Sequence, residues 1–437
     1  MTGPHAAARA WLWLAVLAVA TSGMFAILIV LARVPALGTL FPGTQFYRVA
    51  LTMHVNLSQL VWFSAFAALL WSRAARRPGS PVEMLAVCLC GAGALAVILT
   101  PALGAVTALT ANYLPVLDSP LFLAGIAVFG GGLLLQSLRG LGVALPGAAS
   151  ADPAGRLGLV LAAAASTTAI ALLPWSSAQL STLDGYSYFE ALFWGSGHVW
   201  QCALVLLMML SWRGILGGTG LRAERALPAL LVLAALPVPG ALAIQSLHPA
   251  GEAAYLQAFT DLMRYTSWEA PLLLGLLLLG CKPAANDWGT PVFRLSLLLF
   301  VCGLLLGATI SGQTTLVTAH YHGTIGAVTL SFMGYSYRLL PALGLGGIAA
   351  AAIRRQTACY GWGNLLMMAG LAGAGWMGAP RKAPGQLGFD FGAEALSRIV
   401  MGVGGCLALA GILGFAWLLL RALRPLGAAR PLLAATP

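Results

Sequence analysis

Residues 315–341 read TLVTAHYHGTIGAVTLSFMGYSYRLLP, an apolar run long enough to cross a bilayer as a helix, with His320 and His322 near its start. Ionisable side chains inside a membrane span are costly and need a reason. Two residues along an α-helix is about 200° around its axis, so these imidazoles point to opposite faces and cannot serve one metal together. A helix standing between two metal centres, and giving one ligand to each, would use this spacing.

The rest of the chain has the same solvent. Of its 437 residues 59% are hydrophobic and 8% charged, and the mean hydropathy is +0.88. No water-soluble core can bury that much apolar surface, so lipid must surround most of it. Apolar runs fall at 11–34, 46–72, 83–109, 119–143, 156–178, 188–212, 226–247, 253–281, 291–312, 315–340, 357–378 and 395–421. The fold expected is all-α: a polytopic bundle of twelve transmembrane helices forming a single domain over 1–437. There is no internal repeat and no soluble domain. Arg9 and Ala18-Val19-Ala20 could mark a cleaved signal peptide, but the apolar stretch runs on to Leu31, which favours a retained span.

The net charge of +11 does not point to nucleic acid, because its distribution follows the loops. Arg9, Arg73, Arg76, Arg77, Arg139, Arg156, Arg213, Arg222, Arg225, Lys282, Arg294, Arg338, Arg354, Arg355, Arg421, Arg424 and Arg430 belong to the termini and alternate loops. The opposite loops hold Arg33, Arg48, Arg381, Lys382 and Arg398, with Arg264 inside the eighth run. The positive-inside rule puts both termini in the cytoplasm, as expected of a multi-pass protein in a bacterial-type inner membrane. The seven cysteines lie mostly within apolar runs and form no C-x-x-C pair, so neither a disulfide framework nor a zinc site is indicated.

Of the six histidines, His5 is in the tail and His248 in an outer loop, leaving His54, His198, His320 and His322 inside the second, sixth and tenth runs. Those runs all descend from the outer side. Counted from the start of each run, the four imidazoles lie roughly 8–15 Å below the outer boundary. A lone membrane histidine is often no more than a hydrogen-bonding group between helices. Four at one level suggest a layer of metal centres, for which neutral imidazole is a common ligand to iron or copper.

The motifs around these histidines resemble subunit I of the haem–copper oxidase superfamily, which includes cytochrome c oxidases and nitric oxide reductases. Arg48-Val-Ala-Leu-Thr-Met-His54-Val-Asn56 is similar to the segment supplying one axial ligand of the low-spin haem, and Val317-Thr-Ala-His320-Tyr-His322 to the family's H-F-H element. Phe193-Trp-Gly-Ser-Gly197-His198 resembles its F-W-x-x-G-H segment. The resemblance runs from the second span to the loop after the eleventh. It implies two haems of unstated type, His54 and His322 axial to the low-spin iron and His320 axial to the high-spin iron. It also implies His198 as a distal copper ligand, and Arg381 and Lys382 as contacts for haem propionates. An oxidoreductase of this kind reduces oxygen or nitric oxide in respiratory electron transport. It takes electrons from a partner subunit or cytochrome.

The departures bear on copper. The family's adjacent histidine pair in the seventh span falls at Ala243 and Ile244, and its redox-active tyrosine at Cys202. One imidazole is a poor copper site. In the eighth run Asp261 and Arg264 are spaced to pair on one face, and Glu269, near mid-membrane, is a candidate proton carrier. Two other functions fit the sequence: a copper-free haem protein for electron transfer or gas binding, and a twelve-span secondary transporter. A transporter calls for matching broken helices in two halves, which are not found.

Overall fold

The computed structural model describes residues 5–31, 43–75, 77–104, 106–144, 152–281, 287–382 and 392–422. Helices make up nearly all of it. In chain order they are α1 (Ala6–Leu31), α2 (Gly43–Val55), α3 (Trp62–Ala74), α4 (Pro81–Leu99), α5 (Pro120–Leu141), α6 (Pro153–Gln179), α7 (Gly185–Leu216) and α8 (Leu221–Ala235). There follow α9 (Pro237–Leu247), α10 (Ala253–Thr266), α11 (Glu269–Leu279), α12 (Gly289–Ala308), α13 (Thr315–Leu339), α14 (Ala350–Trp376) and α15 (Ala393–Ala422). A small antiparallel hairpin, β1 (Thr107–Leu109) with β2 (Val116–Asp118), lies between α4 and α5.

By length and composition, nine stretches among the described residues can cross a membrane. The chain is therefore a multi-pass, all-α membrane protein. The expected spans 253–281, 315–340 and 357–378 are helical but fall outside those nine. The first is broken at Ser267 and Trp268 into α10 and α11, α13 carries its histidines and tyrosines, and α14 begins early enough to take in Arg354 and Arg355. The expected run 83–109 also ends sooner. Pro101 follows α4 in a short 3₁₀ turn, and Gly104 takes a positive φ of 159°, so residues 107–109 are free to form β1.

The bundle shows the inverted surface that lipid requires. Leu95, Leu276, Leu305 and Val403 are exposed, while Trp62, Phe66 and Phe332 are buried, the last two stacked with centroids 4.0 Å apart. Where both sides of a helix contact are apolar, tight approach rather than the hydrophobic effect drives association, and small residues allow it. A Cβ on Gly93 would lie 2.5 Å from the Gly125 carbonyl oxygen, and one on Gly303 would lie 2.6 Å from the Thr324 nitrogen. Buried polar side chains tie helices together: Gln136 Nε2 donates to the Ala68 carbonyl at 3.1 Å, and Gln356 Nε2 to that of Gly411 at 2.9 Å.

Arginine gathers at one end. Arg9 Nε donates to the Leu343 carbonyl at 2.8 Å, and Arg338 pairs with Asp287 at 3.5 Å. Arg213 pairs with Glu224 at 2.9 Å and also with Asp152, and Arg139 pairs with Glu83 at 3.2 Å. All four arginines belong to the set that the sequence assigns to one side. Arg33, Arg76, Lys282, Arg424 and Arg430 lie outside the described residues. The histidines lie toward the other end, with Arg381 and Lys382.

The Gly93 contact gives a direct test of the packing. Gly93→Leu should destabilise the protein by about 1–3 kcal/mol through overpacking, seen as a lower thermal unfolding midpoint in detergent. An unchanged midpoint would mean that α4 and α5 do not approach as described.

Candidate functional site

His54 ends α2. Its Nδ1–H donates to the Ser22 carbonyl of α1 at 3.0 Å, while Ser22 Oγ and Ser58 Oγ donate to the His54 carbonyl at 3.0 and 2.7 Å. Ser22 Oγ also lies 3.0 Å from Nδ1; with Nδ1–H given to the Ser22 carbonyl, Nε2 keeps its lone pair, the arrangement found in metal-ligating histidines. Directly after it, Asn56–Val61 forms a π-helical turn, a feature that often marks functional sites. Asn56 Nδ2 bridges the Thr52 and Pro115 carbonyls at 2.9 and 2.7 Å, tying this turn to the β1–β2 hairpin.

His320 and His322 divide as helix geometry demands. His320 Nδ1–H donates to the Gly303 carbonyl of α12 at 2.8 Å. That bond exists because Gly303 and Gly323 bring α12 and α13 into backbone contact, and because Gly307 leaves room for the ring: a Cβ there would lie 2.7 Å from His320 Nδ1. His322 faces the other way, toward the Asn364 side chain of α14, and is near enough to His54 for the two imidazoles to interact electrostatically. His322 is thus set on the Asn364 side of α13, within electrostatic range of His54, and His320 on the α12 side.

His198 is 7% exposed and fully engaged. Its Nδ1–H donates to the Trp194 carbonyl at 2.7 Å, and its Nε2 accepts from the Tyr113 hydroxyl at 2.8 Å. Tyr113 comes from the β1–β2 loop, and its ring lies on Gly197, where no Cβ would fit. Burial, with Tyr321 and Glu190 nearby, pushes the Tyr113 phenol well above its ordinary pKa, so it stays protonated and donating. Sequence reasoning did not single out Tyr113. The glycine just before His198 is the signal that an aromatic ring packs there.

Copper does not fit this environment. Ala243 is exposed and Ile244 half-buried, so those two positions face mainly outward, while the buried residue of that turn is Gln245. Gln245 accepts from Tyr255 at 2.9 Å and donates to Gln179 at 3.2 Å. Cys202 Sγ donates to the Ala234 carbonyl at 3.1 Å. Among the described residues, no three His, Cys, Asp or Glu side chains converge to hold a metal ion.

A porphyrin, by contrast, would need one axial imidazole rather than a cluster of ligands. Thr52 Oγ1, Asn56 Oδ1 and Trp200 Nε1 are buried without partners within two residues of His54 or His198, which leaves polar atoms for a bound group to satisfy. The basic pair also belongs to this end. Arg381 Nη2 and Lys382 Nζ donate to Asn112 Oδ1 at 2.6 and 2.9 Å, and Lys382 Nζ also donates to the Thr110 carbonyl at 2.5 Å. Asn112 in turn donates through its backbone N–H to Glu190 Oε2 at 2.7 Å, with a second bond from its side chain. Arg381 also bonds Tyr321, the residue between the paired histidines. Glu190, on α7 two turns before His198, was not singled out in the sequence.

The eighth run reaches this layer through Phe259, whose ring centroid lies 5.6 Å from that of His198. Asp261 accepts from Gln257 Nε2 at 2.9 Å and makes no ion pair with Arg264 among the described residues, because Gln257 is one turn away on the same helix and Arg264 turns outward. Glu269 begins α11 and accepts from the Trp268 N–H at 3.2 Å, half-buried at the helix break.

No family model matches the chain. It is similar to an uncharacterized protein of Aquifex aeolicus (strain VF5), 29% identical over 342 residues covering 76% of this chain and 84% of that protein. It is also similar to an uncharacterized protein of Rickettsia prowazekii (strain Madrid E), 25% identical over 492 positions covering 94% of both.

Burial, with Arg381 beside it, lowers the Lys382 ammonium from 10.5 to about 8. The folded chain then binds fewer protons than the unfolded chain between those values, so stability should rise with pH from about 8 to 10.5. In protein made by a haem-deficient host, Lys382→Met should remove that rise. An unaltered slope would show that Lys382 is not buried among these partners.

Proposed function

We propose that the chain is a haem protein like subunit I of the haem–copper oxidases, passing electrons from a low-spin haem to a high-spin haem that binds oxygen or nitric oxide. The observation that carries this reading is the common anchoring of His54 and His320, each with Nδ1–H on a backbone carbonyl of a neighbouring helix and Nε2 left to ligate. Haem bound at these residues would supply a one-electron carrier and an iron open to a small gas. The protein's part is to orient. Ser22 and Gly303 fix the two rings, Asn364 steadies His322 opposite His54, and Arg381 and Lys382 place two donors and positive charge where propionates would lie. Counting α10/α11, α13 and α14 as crossings besides the nine apolar stretches would give the twelve spans of that family. The arginine-rich end, and with it both termini, is then cytoplasmic in a bacterial-type inner membrane. A partner subunit or cytochrome would donate the electrons. Glu269, at the helix break, is placed to carry protons only if water reaches it from the histidine layer.

A second reading, electron transfer or gas binding without reduction and without copper, is favoured by one observation: Tyr113 occupies the Nε2 of His198. Metal analysis separates the two, since copper near one per chain supports the oxidase and iron alone supports the copper-free protein.

The haem assignment is tested by reduced-minus-oxidised spectra with and without carbon monoxide. His54→Ala should abolish the low-spin bands. Gly307→Val, which pushes on the His320 ring, should abolish most of the carbon monoxide-sensitive signal and leave the low-spin bands. Protein that is colourless despite ample haem supply would return the chain to the transporter class.

A further inference from the structure

At the arginine-rich end, remote from the histidines, an open cavity of about 630 Å³ lies between α12 and α14. Arg294 and Arg354 stand in its wall within the first two turns of these parallel helices, and both are exposed. Unlike Arg9, Arg139, Arg213 and Arg338, neither guanidinium has a hydrogen-bond or ion-pair partner among the described residues. Asp287 also lines the cavity, but its carboxylate is taken up by Arg338 at 3.5 Å and by the backbone N–H groups of Gly289 and Thr290 at 2.7 and 2.8 Å. The positive charge of the pair is therefore not neutralised from within.

The cavity changes character along the membrane normal. About 6 Å deeper than Arg294 on α12 comes Leu298, and about 12 Å deeper than Arg354 on α14 comes Trp362. They are 40% and 56% exposed, and both line the cavity. A cationic mouth at interface depth above an exposed apolar wall matches a molecule with an anionic head and a hydrocarbon tail. A soluble anion would use only the mouth. We propose that this groove binds an anionic phospholipid, its phosphate between Arg294 and Arg354 and an acyl chain along Leu298 and Trp362. Guanidinium pairs favour phosphate oxygens, and basic pockets between membrane helices select anionic head groups.

The test is native mass spectrometry of the full-length protein in mild detergent, titrated with phosphatidylglycerol or with phosphatidylcholine of the same acyl chains. Phosphatidylglycerol should be retained about tenfold or more over phosphatidylcholine, as expected of two interfacial cations. The Arg294→Gln, Arg354→Gln double variant should bring it down to the phosphatidylcholine level, and millimolar inorganic phosphate should not displace it. Equal retention of the two lipids by the unaltered protein would overturn the proposal whether or not the variant folds. So would full retention by a folded double variant, or displacement by phosphate, which would mark a site for soluble anions.

Discussion

An imidazole whose Nδ1–H is held by a backbone carbonyl has a fixed ring plane, a fixed tautomer and one free lone pair. The layer at the histidine end of this bundle is built on that constraint. Ser22 of α1 holds His54, Gly303 of α12 holds His320, and Trp194 of α7 holds His198. A carbonyl inside a helix is normally consumed by its own ladder. Its second lone pair can take a donor from the same helix, as Trp194 does from His198, but a donor from another helix, as at Ser22 and Gly303, reaches it only where the helices are in near contact. Glycine makes that contact possible at Gly303 and Gly323. The packing of small residues and the chemistry of the histidines are therefore linked.

The same logic separates the histidines from one another. His54 and His320 are anchored on one nitrogen, with the other left available. His198 is anchored on both, since Tyr113 fills its Nε2 from the hairpin loop. A closed His–Tyr pair beside outward-facing Ala243 and Ile244 is the environment of a satisfied core histidine, and a poor one for copper. It also ties α7 to the β1–β2 loop, whose Asn112 holds Glu190, Arg381 and Lys382.

Much of this was legible in the sequence. Membrane spans are read from apolar runs, because lipid leaves the backbone no option but helix, and the runs correspond to helices or helix pairs. The opposed faces of His320 and His322 followed from a two-residue spacing alone. What could not be read was contributed by residues distant in the chain. Tyr113 and Asn364 meet their histidines across 85 and 42 positions, and Gly197 beside His198 signals only that a ring packs there, not which one. The Asp261–Arg264 spacing suggested an ion pair, but Asp261 accepts from Gln257 on the same helix and Arg264 is exposed. The seventh span hid its inward residue because Gln245 continues the buried stripe of Leu227, Leu231, Ala234 and Ala241, and in a run apolar on every side that face is set by the neighbouring helices.

Whether one iron lies between imidazoles from two different helices is best measured by electron paramagnetic resonance of the oxidised protein carrying ¹⁵N-labelled histidine. A low-spin ferric signal with hyperfine coupling to two equivalent histidine nitrogens is predicted for iron held by His54 and His322. A spectrum with no ferric haem signal, or with coupling to a single histidine nitrogen at every iron, would contradict it.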